Sequence, residues 1–352
     1  MNYNLKIQKA LLEIDKLSEA SDKITVLKSV VQIADINNDI NWGFDLRNQI
    51  IRHEGLSGKH TESFAAFAWM LNTYDNNPKL FEPQEIFFNY MWMVSNAFCD
   101  ASIDRKQIDY MLADYKSRIT KDGFSHWSYY ELLTEWYLFL GDAEKAMNAA
   151  GMRNKEPRDE LSCETEIATD ICVELLNGNL DDGIAMSEEL ICRNSNNPSL
   201  NKINIYNQLV YYLNKARDKR AKLYFDKSES LFREVDKNPY LLFEINLMMY
   251  YMSLNEPEKG WEYFEKYAEW EINANDYLRY DFSVAVLPLL KKEGTRLLNL
   301  HPRIPYYRQD DLYDTKELFN YYHDKAVILA KKFDSRNENS YFTDQIKWHI
   351  EN

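Results

Sequence analysis

The chain has 352 residues, of which 45% are hydrophobic and 14% aromatic, and its formal net charge is −14. This composition can fill a large core, while the excess of acidic residues disfavours a nucleic-acid-binding protein, whose binding face is normally basic. No segment approaches the ~18 apolar residues of a membrane span, and the amphipathic N-terminus does not resemble a signal peptide, so we expect a cytoplasmic protein that does not contact membranes.

The N-terminal part of the chain predicts a series of amphipathic helices. Apolar residues at helical spacing indicate an opening helix over 3–17 and a first helical hairpin over 24–54. A strongly apolar helix follows over 61–74. Asp104 is of the residue type that caps helices, so we expect it to begin a helix over 104–119.

The centre of the chain repeats one sequence pattern, in which a helix ends at a turn and a second helix begins immediately afterwards. Each second helix carries a small residue near its start, and these residues are 37, 38 and 39 positions apart: Ala146, Gly183, Ala221 and Gly260. Nine positions before the small residue, three of the four repeats have a tyrosine, namely Tyr137, Tyr212 and Tyr251. The remaining repeat has Glu174 at this position. A period of this size predicts an α-solenoid, in which stacked hairpins bury one continuous core.

The rest of the chain continues this pattern up to a long loop. The predicted hairpins pair 158–177 with 180–194, 199–216 with 218–235, and 238–254 with 257–272. Pro288 predicts a kink or an early end in a helix over 274–293, because proline removes a backbone donor. We expect a single α-solenoid over 1–352, with N-terminal helices and a first hairpin (1–57), central hairpins (58–293), a loop (294–312) and C-terminal capping helices (313–352).

The repeat resembles the tetratricopeptide repeat (TPR), whose usual period is about 34 residues and in which an aromatic residue faces a small one. Several segments are also similar to a group of bacterial TPR-like proteins: Phe67-Ala-Trp69, Asp75-x-x-Pro78, Phe88-x-Tyr90-x-Trp92 and Glu156-Pro-Arg-Asp-Glu-Leu-Ser-Cys163. This resemblance implies an all-α, right-handed superhelix in an intracellular bacterial setting. It implies binding rather than catalysis, and no catalytic residues.

The sequence lacks the motifs of common catalytic and metal sites. It has no HExxH and no GxSxG, and the glycines around Lys59 do not have the spacing of a phosphate loop. The four cysteines form no CxxC pair, so we expect reduced thiols rather than a disulfide, zinc or redox site: Cys99, Cys163, Cys172 and Cys192. We therefore predict no catalytic residue, no cofactor and no metal.

The candidate binding surface is an acidic stripe on the first helices of two hairpins. Glu131 and Glu135 lie four residues apart and thus share a helix face. Asp170 and Glu174 repeat that spacing one hairpin later. On the TPR interpretation these carboxylates line the concave groove, with Tyr206 as an apolar anchor, and would bind a protein or peptide with a basic segment. A solvated acidic face without function is the alternative.

The aromatic residues extend this hypothesis, because exposed tryptophan and tyrosine often anchor partners. Six of them are candidates for the groove: Trp69, Trp92, Trp127, Trp136, Tyr206 and Tyr211. We expect a non-enzymatic scaffold that binds and controls a partner protein. Two alternatives stay open, namely a regulator whose superhelix changes when a peptide binds and an enzyme with an unrecognised helical active site. The oligomeric state also stays open.

Overall fold

The computed structural model describes residues 2–58, 60–162, 166–193, 199–235 and 237–351. In these ranges the chain forms seventeen α-helices, two short 3₁₀ helices (Pro239–Leu241 and Ala268–Asn273) and two strands. The first nine helices are α1 (Tyr3–Ile14), α2 (Ala20–Ile36), α3 (Ile40–Ser57), α4 (Thr61–Asn76), α5 (Pro83–Phe98), α6 (Arg105–Lys121), α7 (Trp127–Phe139), α8 (Ala143–Arg153) and α9 (Glu166–Leu176). The others are α10 (Leu180–Arg193), α11 (Ser199–Lys215), α12 (Arg220–Phe232), α13 (Leu242–Asn255), α14 (Pro257–Tyr267), α15 (Asp276–Leu290), α16 (Thr315–Asn337) and α17 (Tyr341–Glu351).

Local sequence signals account for many helix ends. Asp104 forms a capping box with Gln107, in which each side chain accepts a hydrogen bond from the other residue's backbone N–H. Gly141 and Gly178 follow the ends of α7 and α9 with φ angles of 70° and 86°, a left-handed conformation that glycine adopts without strain. The chain can therefore turn tightly into the next helix at both positions.

Consecutive helices pack against each other, which confirms the predicted all-α architecture. Helix pairs with extensive contact include α2 with α3, α7 with α8, and α11 with α12. The first helices of successive hairpins also touch, since α7 contacts α9, α9 contacts α11, α11 contacts α13, and α13 contacts α15. This second set of contacts joins neighbouring hairpins into one stack.

The small residues of the repeat lie where helices approach closely. A Cβ atom added to Gly183 would lie 2.7 Å from Cδ2 of Leu175, and one added to Gly260 would lie 3.3 Å from Cδ1 of Leu289. Ala146 and Ala221 are buried. The packing confirms the need for a small residue at Gly183 and leaves little space at Gly260, while for the two alanines it shows burial.

The segment predicted as a loop over 294–312 is partly ordered as a β-ribbon. Strand β1 (Thr295–Leu297) pairs antiparallel with β2 (Leu312–Asp314). The residues between them also contribute to the core, with Leu298, Leu300 and Ile304 buried. Pairing of the two strands joins residues far apart in sequence, and each strand has only three residues, so the sequence carries little local signal for them.

Distant parts of the chain meet through α15, α16 and α17. The backbone N–H of Tyr277 donates to the carbonyl of Cys99 over 3.1 Å, which joins α15 to the end of α5. Phe139 of α7 packs against both buried clusters of the core, one drawn from residues 7–161 and the other from 171–346. The prediction placed α16 and α17 as caps of the solenoid end, whereas α17 also lies against helices of the earlier hairpins.

None of the described helices combines the length and the apolar content that a membrane-spanning segment requires.

Candidate functional site

Glu131, the first residue of the predicted acidic stripe, lies inside the protein. Its side chain is fully buried and forms an ion pair with Arg153 of α8, which is itself fully buried. Arg153 also contacts Asp170 of α9 over 2.5 Å, and the hydroxyl of Thr169 donates to Glu131 over 2.7 Å. Burial raises the pKa of Glu131, and the Arg153 charge offsets only part of this effect. The expectation that Glu131 belongs to a solvated wall is therefore wrong.

Glu135, one turn further along α7, faces α5. It accepts a hydrogen bond of 2.6 Å from the hydroxyl of Ser95. Burial and, to a smaller extent, the nearby charge of Glu131 raise the pKa of Glu135 to about 7. This carboxyl group thus mediates contact between two helices and is a poor candidate for a free anion in a groove.

The other three predicted residues contact different elements. The Asp170 side chain retains 25% of its exposure beside Arg153. Glu174 accepts from the side-chain amide of Asn179 in the following turn over 2.7 Å. Tyr206 packs on Tyr224 of α12, with ring centroids 6.0 Å apart. A role in partner binding stays a prediction for these three residues. Through Arg153 the structure brings Asp170 to Glu131, which also lies near Glu135. Glu174 and Tyr206 contact other residues.

Of the six aromatic residues proposed as further anchors, two are buried, three are half-buried and one is exposed. Trp127 and Trp136 are 2% and 1% exposed, so both are packing residues. Trp92 is 37% exposed, with its ring on Gly55, where an added Cβ atom would lie 2.3 Å away. The close approach to glycine explains why this tryptophan can lie flat on α3.

The described residues contain no group of three His, Cys, Asp or Glu side chains that could hold a metal ion. Burial raises the pKa of the thiols of Cys99 and Cys172 to about 12, which disfavours their reactive thiolate forms. Cys192 is a free, exposed cysteine. Cys163 lies outside the described residues.

A different surface emerges where α17 lies across the first helices of four hairpins. The contacting residues come from α7 and the turn after it, α11, α13 and α15. We call this set the inner face: Phe139, Gly141, Tyr211, Lys215, Tyr250 and Tyr280. Its residues share an aromatic or small apolar character, except for the single cation.

The first turn of α17 inserts aromatic rings into the inner face. The Phe342 ring centroid lies 5.2 Å from that of Phe139 and 5.0 Å from that of Tyr280. The Tyr280 hydroxyl donates to the carbonyl of Phe342 over 2.7 Å. Tyr341 covers Gly141 so closely that an added Cβ atom would lie 2.3 Å from its ring. Glycine at this position therefore serves both the turn and the packing of α17.

The second half of α17 makes polar contacts with the inner face. Lys215 donates to Oε1 of Gln345 over 2.7 Å, and the Tyr211 hydroxyl donates to the same oxygen over 3.2 Å. Burial lowers the pKa of Lys215 to about 8. His349 is 2% exposed with its ring 4.3 Å from that of Tyr250, and its Nε2 has no hydrogen-bond partner among the described residues.

An open cleft adjoins the C-terminal end of α17. It has a volume of about 510 Å³ and is bounded by the α11–α12 turn, the start of α12 and the end of α13. Its lining includes Trp348 of α17, together with Lys219, Lys222 and Tyr251. This end of the α17 contact is thus reachable from the surface.

Sequence reasoning missed Arg153 and the position of α17. A signal for α17 exists in the spacing of its three buried residues, Phe342, Ile346 and His349, which lie on one face of a helix. That pattern predicts an amphipathic helix and leaves open which surface it covers. For Arg153 the only signal is an arginine in an alanine-rich helix, which does not distinguish a buried residue from an exposed one.

No protein-family model matches the chain, and a search of curated proteins finds no significant match. The functional argument therefore depends on the geometry described above.

Proposed function

We propose that this chain is a non-enzymatic scaffold, built as a right-handed TPR-like superhelix, whose inner face binds a helical segment of a partner protein. The contacts between successive first helices support the superhelix. Aromatic side chains on a face formed by several stacked hairpins are well suited to a helix-in-groove mode of recognition. We further propose a cytoplasmic location, which the free thiol of Cys192 supports, because reducing compartments keep thiols unpaired.

The single observation that carries this proposal is the position of α17. An amphipathic helix already lies on the inner face, with Phe342 between the rings of Phe139 and Tyr280. A surface that accepts one amphipathic helix of the same chain has the shape and chemistry to accept a similar helix from another protein.

Site-specific photo-cross-linking tests where a partner binds. A benzophenone amino acid is placed at Lys219, on the rim of the cleft beside α17, and at Lys145, an exposed residue of α8, as the control. We expect a partner polypeptide to be attached from position 219 and not from position 145. Attachment from position 145 alone would contradict binding at the inner face.

The attached polypeptide is then purified and titrated into three forms of the full chain. Tyr211→Ala removes an aromatic ring of the inner face, and we expect it to weaken binding at least about tenfold. Met147→Ala changes an exposed residue of α8 and should leave the affinity unchanged. Equal affinities for wild type, Tyr211→Ala and Met147→Ala would show that the partner does not use this face.

A further inference from the structure

The connection between α16 and α17 is short, and one side chain of α16 caps the start of α17. Helix α16 ends at Asn337, and Glu338 adopts a left-handed conformation with φ of 57°. The carboxylate of Asp334 accepts hydrogen bonds of 2.9 Å from the backbone N–H groups of both Phe342 and Thr343. Asp334 thus caps the N-terminus of α17 from the preceding helix.

The first turn of α17 packs its aromatic rings well against the inner face. The second half of α17 leaves polar groups without their best hydrogen-bond partners. Lys215 is a partly buried cation, yet the oxygen that α17 offers it is the neutral amide oxygen of Gln345, with the ring centroid of Trp348 5.7 Å from Nζ. A carboxylate in that place would form a stronger, charge-assisted hydrogen bond. His349 also buries a nitrogen without a partner among the described residues, which costs free energy. The chain's own helix is therefore not the best ligand for this surface.

We infer that α17 is an exchangeable ligand of the inner face, and that the partner is an amphipathic helix with an acidic side chain where α17 has Gln345. This inference rests on the proposed function. The partner would repeat the apolar spacing of Phe342 and Ile346 and replace α17 on the same four first helices. The expected partner chemistry is thus acidic at this position, opposite to the basic segment that the acidic stripe predicted.

The incomplete fit explains how exchange can occur. A tethered helix has an effective concentration in about the millimolar range, so a partner in solution must bind much more tightly than α17 to replace it. The acidic side chain supplies this advantage through Lys215. The cleft beside Trp348 leaves the C-terminal end of α17 accessible, so displacement can begin there.

The test uses the full chain and labelled peptides of residues 338–351 with Gln, Glu or Lys at position 345. In the chain, Ile346→Ala weakens the hold of its own α17, because Ile346 is a buried residue of that helix. We expect the Glu peptide to bind this variant at least about tenfold more tightly than the Lys peptide, with the natural peptide between them. Wild type should bind the Glu peptide at least about tenfold more weakly than the Ile346→Ala chain.

Two matched variants serve as controls. Lys347→Ala changes the neighbouring exposed residue of α17 and should bind the peptides as weakly as wild type. Adding Lys215→Met to the Ile346→Ala chain should remove the preference for Glu over Gln. Equal binding of the three peptides, or no gain over wild type in a folded Ile346→Ala chain, would overturn the inference. A cross-linked partner at position 219 would then still support the proposed function.

Hydrogen exchange of the wild-type chain gives an independent measurement, which also decides the question if Ile346→Ala does not fold. Helices α14 and α17 both have 11 residues, so α14 serves as the reference. We expect the backbone amides of α17 to exchange at least about tenfold faster than those of α14, because α17 detaches while the helices beneath it stay folded. Equal protection of the two helices would contradict exchange of α17.

Discussion

At the residue scale, the buried charges of α7, α8 and α9 depend on one guanidinium group. Arg153 contacts carboxylates on both sides, Glu131 of α7 and Asp170 of α9. A buried charge is tolerated when it is paired and hydrogen-bonded. Removal of one partner leaves the other charge buried and unpaired, which strongly destabilises the folded state. These residues therefore contribute to the stability of the fold.

Charge reversal at Glu131 should strongly destabilise the protein. Glu131→Lys places a second cation beside Arg153 in a fully buried position, and we expect it to lower the free energy of unfolding by about 3–5 kcal/mol. Urea denaturation followed by circular dichroism measures this loss. Glu144→Lys on the exposed side of α8 is the matched control, with an expected change within about 0.5 kcal/mol. Similar midpoints for both variants would contradict the buried ion pair.

Glu135 should make stability depend on pH. Its pKa of about 7 in the folded state exceeds the value of about 4.3 expected for an unfolded chain. Between these values the folded state binds more protons than the unfolded state, so the contribution of Glu135 to stability is largest at low pH and is lost as pH rises through 7.

The variant Glu135→Gln isolates this effect. At pH ~8 we expect it to be more stable than wild type by on the order of 1–3 kcal/mol, because the amide is neutral and can still accept from Ser95. Near pH ~4.5 the difference should vanish, since the wild-type side chain is then neutral as well. Urea denaturation at both pH values is the measurement, with Glu144→Gln as the control. A difference that does not change with pH would rule out this role for Glu135.

At the element scale, helix contacts within a hairpin depend on small residues near the start of the second helix. Ala146 is fully buried in α8, and Gly183 approaches Leu175 so closely that even a methyl group would require a shift. The side chains of the first helix fill the space that these residues leave. A larger side chain at such a position forces the two helices apart.

Ala146→Leu should therefore overpack the hairpin of α7 and α8. We expect a loss of about 1–3 kcal/mol, seen as a lower melting temperature. Ala185→Leu introduces the same side chain at an exposed position of α10 and should change the melting temperature little. If Ala146→Leu melts at the wild-type temperature, the predicted register of the repeat is contradicted.

At the scale of the whole molecule, Arg336 joins the C-terminal helices to the N-terminal half. Its guanidinium donates to the backbone carbonyls of Ala97, Phe98 and Asp100, at the end of α5. These carbonyls belong to the last turn of a helix or follow it, where intrahelical partners are missing. Arg336 also lies over the rings of Trp136 and Phe333, with its Cζ atom 5.4 and 5.0 Å from their centroids. A purely sequential stack of repeats would have no such contact.

Removal of Arg336 should weaken this connection. Arg336→Ala leaves the α5 carbonyls without their side-chain donor, and we expect a loss of about 2–4 kcal/mol in urea denaturation. The backbone amides around residues 97–101 should also exchange faster with solvent. Arg233→Ala removes an exposed arginine of an i,i+4 ion pair and should cost less than about 0.5 kcal/mol. Equal losses in the two variants would show that Arg336 does not couple the two halves.

The sequence by itself determined the helices and many of their ends. Helix formation depends on hydrogen bonds and apolar spacing within a few residues, so local patterns predict it well. The hairpin of α2 and α3, the capping box at Asp104 and the turn at Gly141 were all predictable in this way. Small residues at a nearly constant spacing of 37 to 39 positions also predicted that consecutive helices pack together.

Only the tertiary structure decided what each helix face contacts. The spacing of Glu131 and Glu135 places both on one side of α7, and this spacing is the same whether that side faces water, Arg153 or Ser95. The pairing of β1 with β2 and the position of α17 on the inner face involve residues far apart in the chain. These contacts depend on the summed burial and charge of several elements, and a single sequence carries no local pattern from which that sum can be predicted.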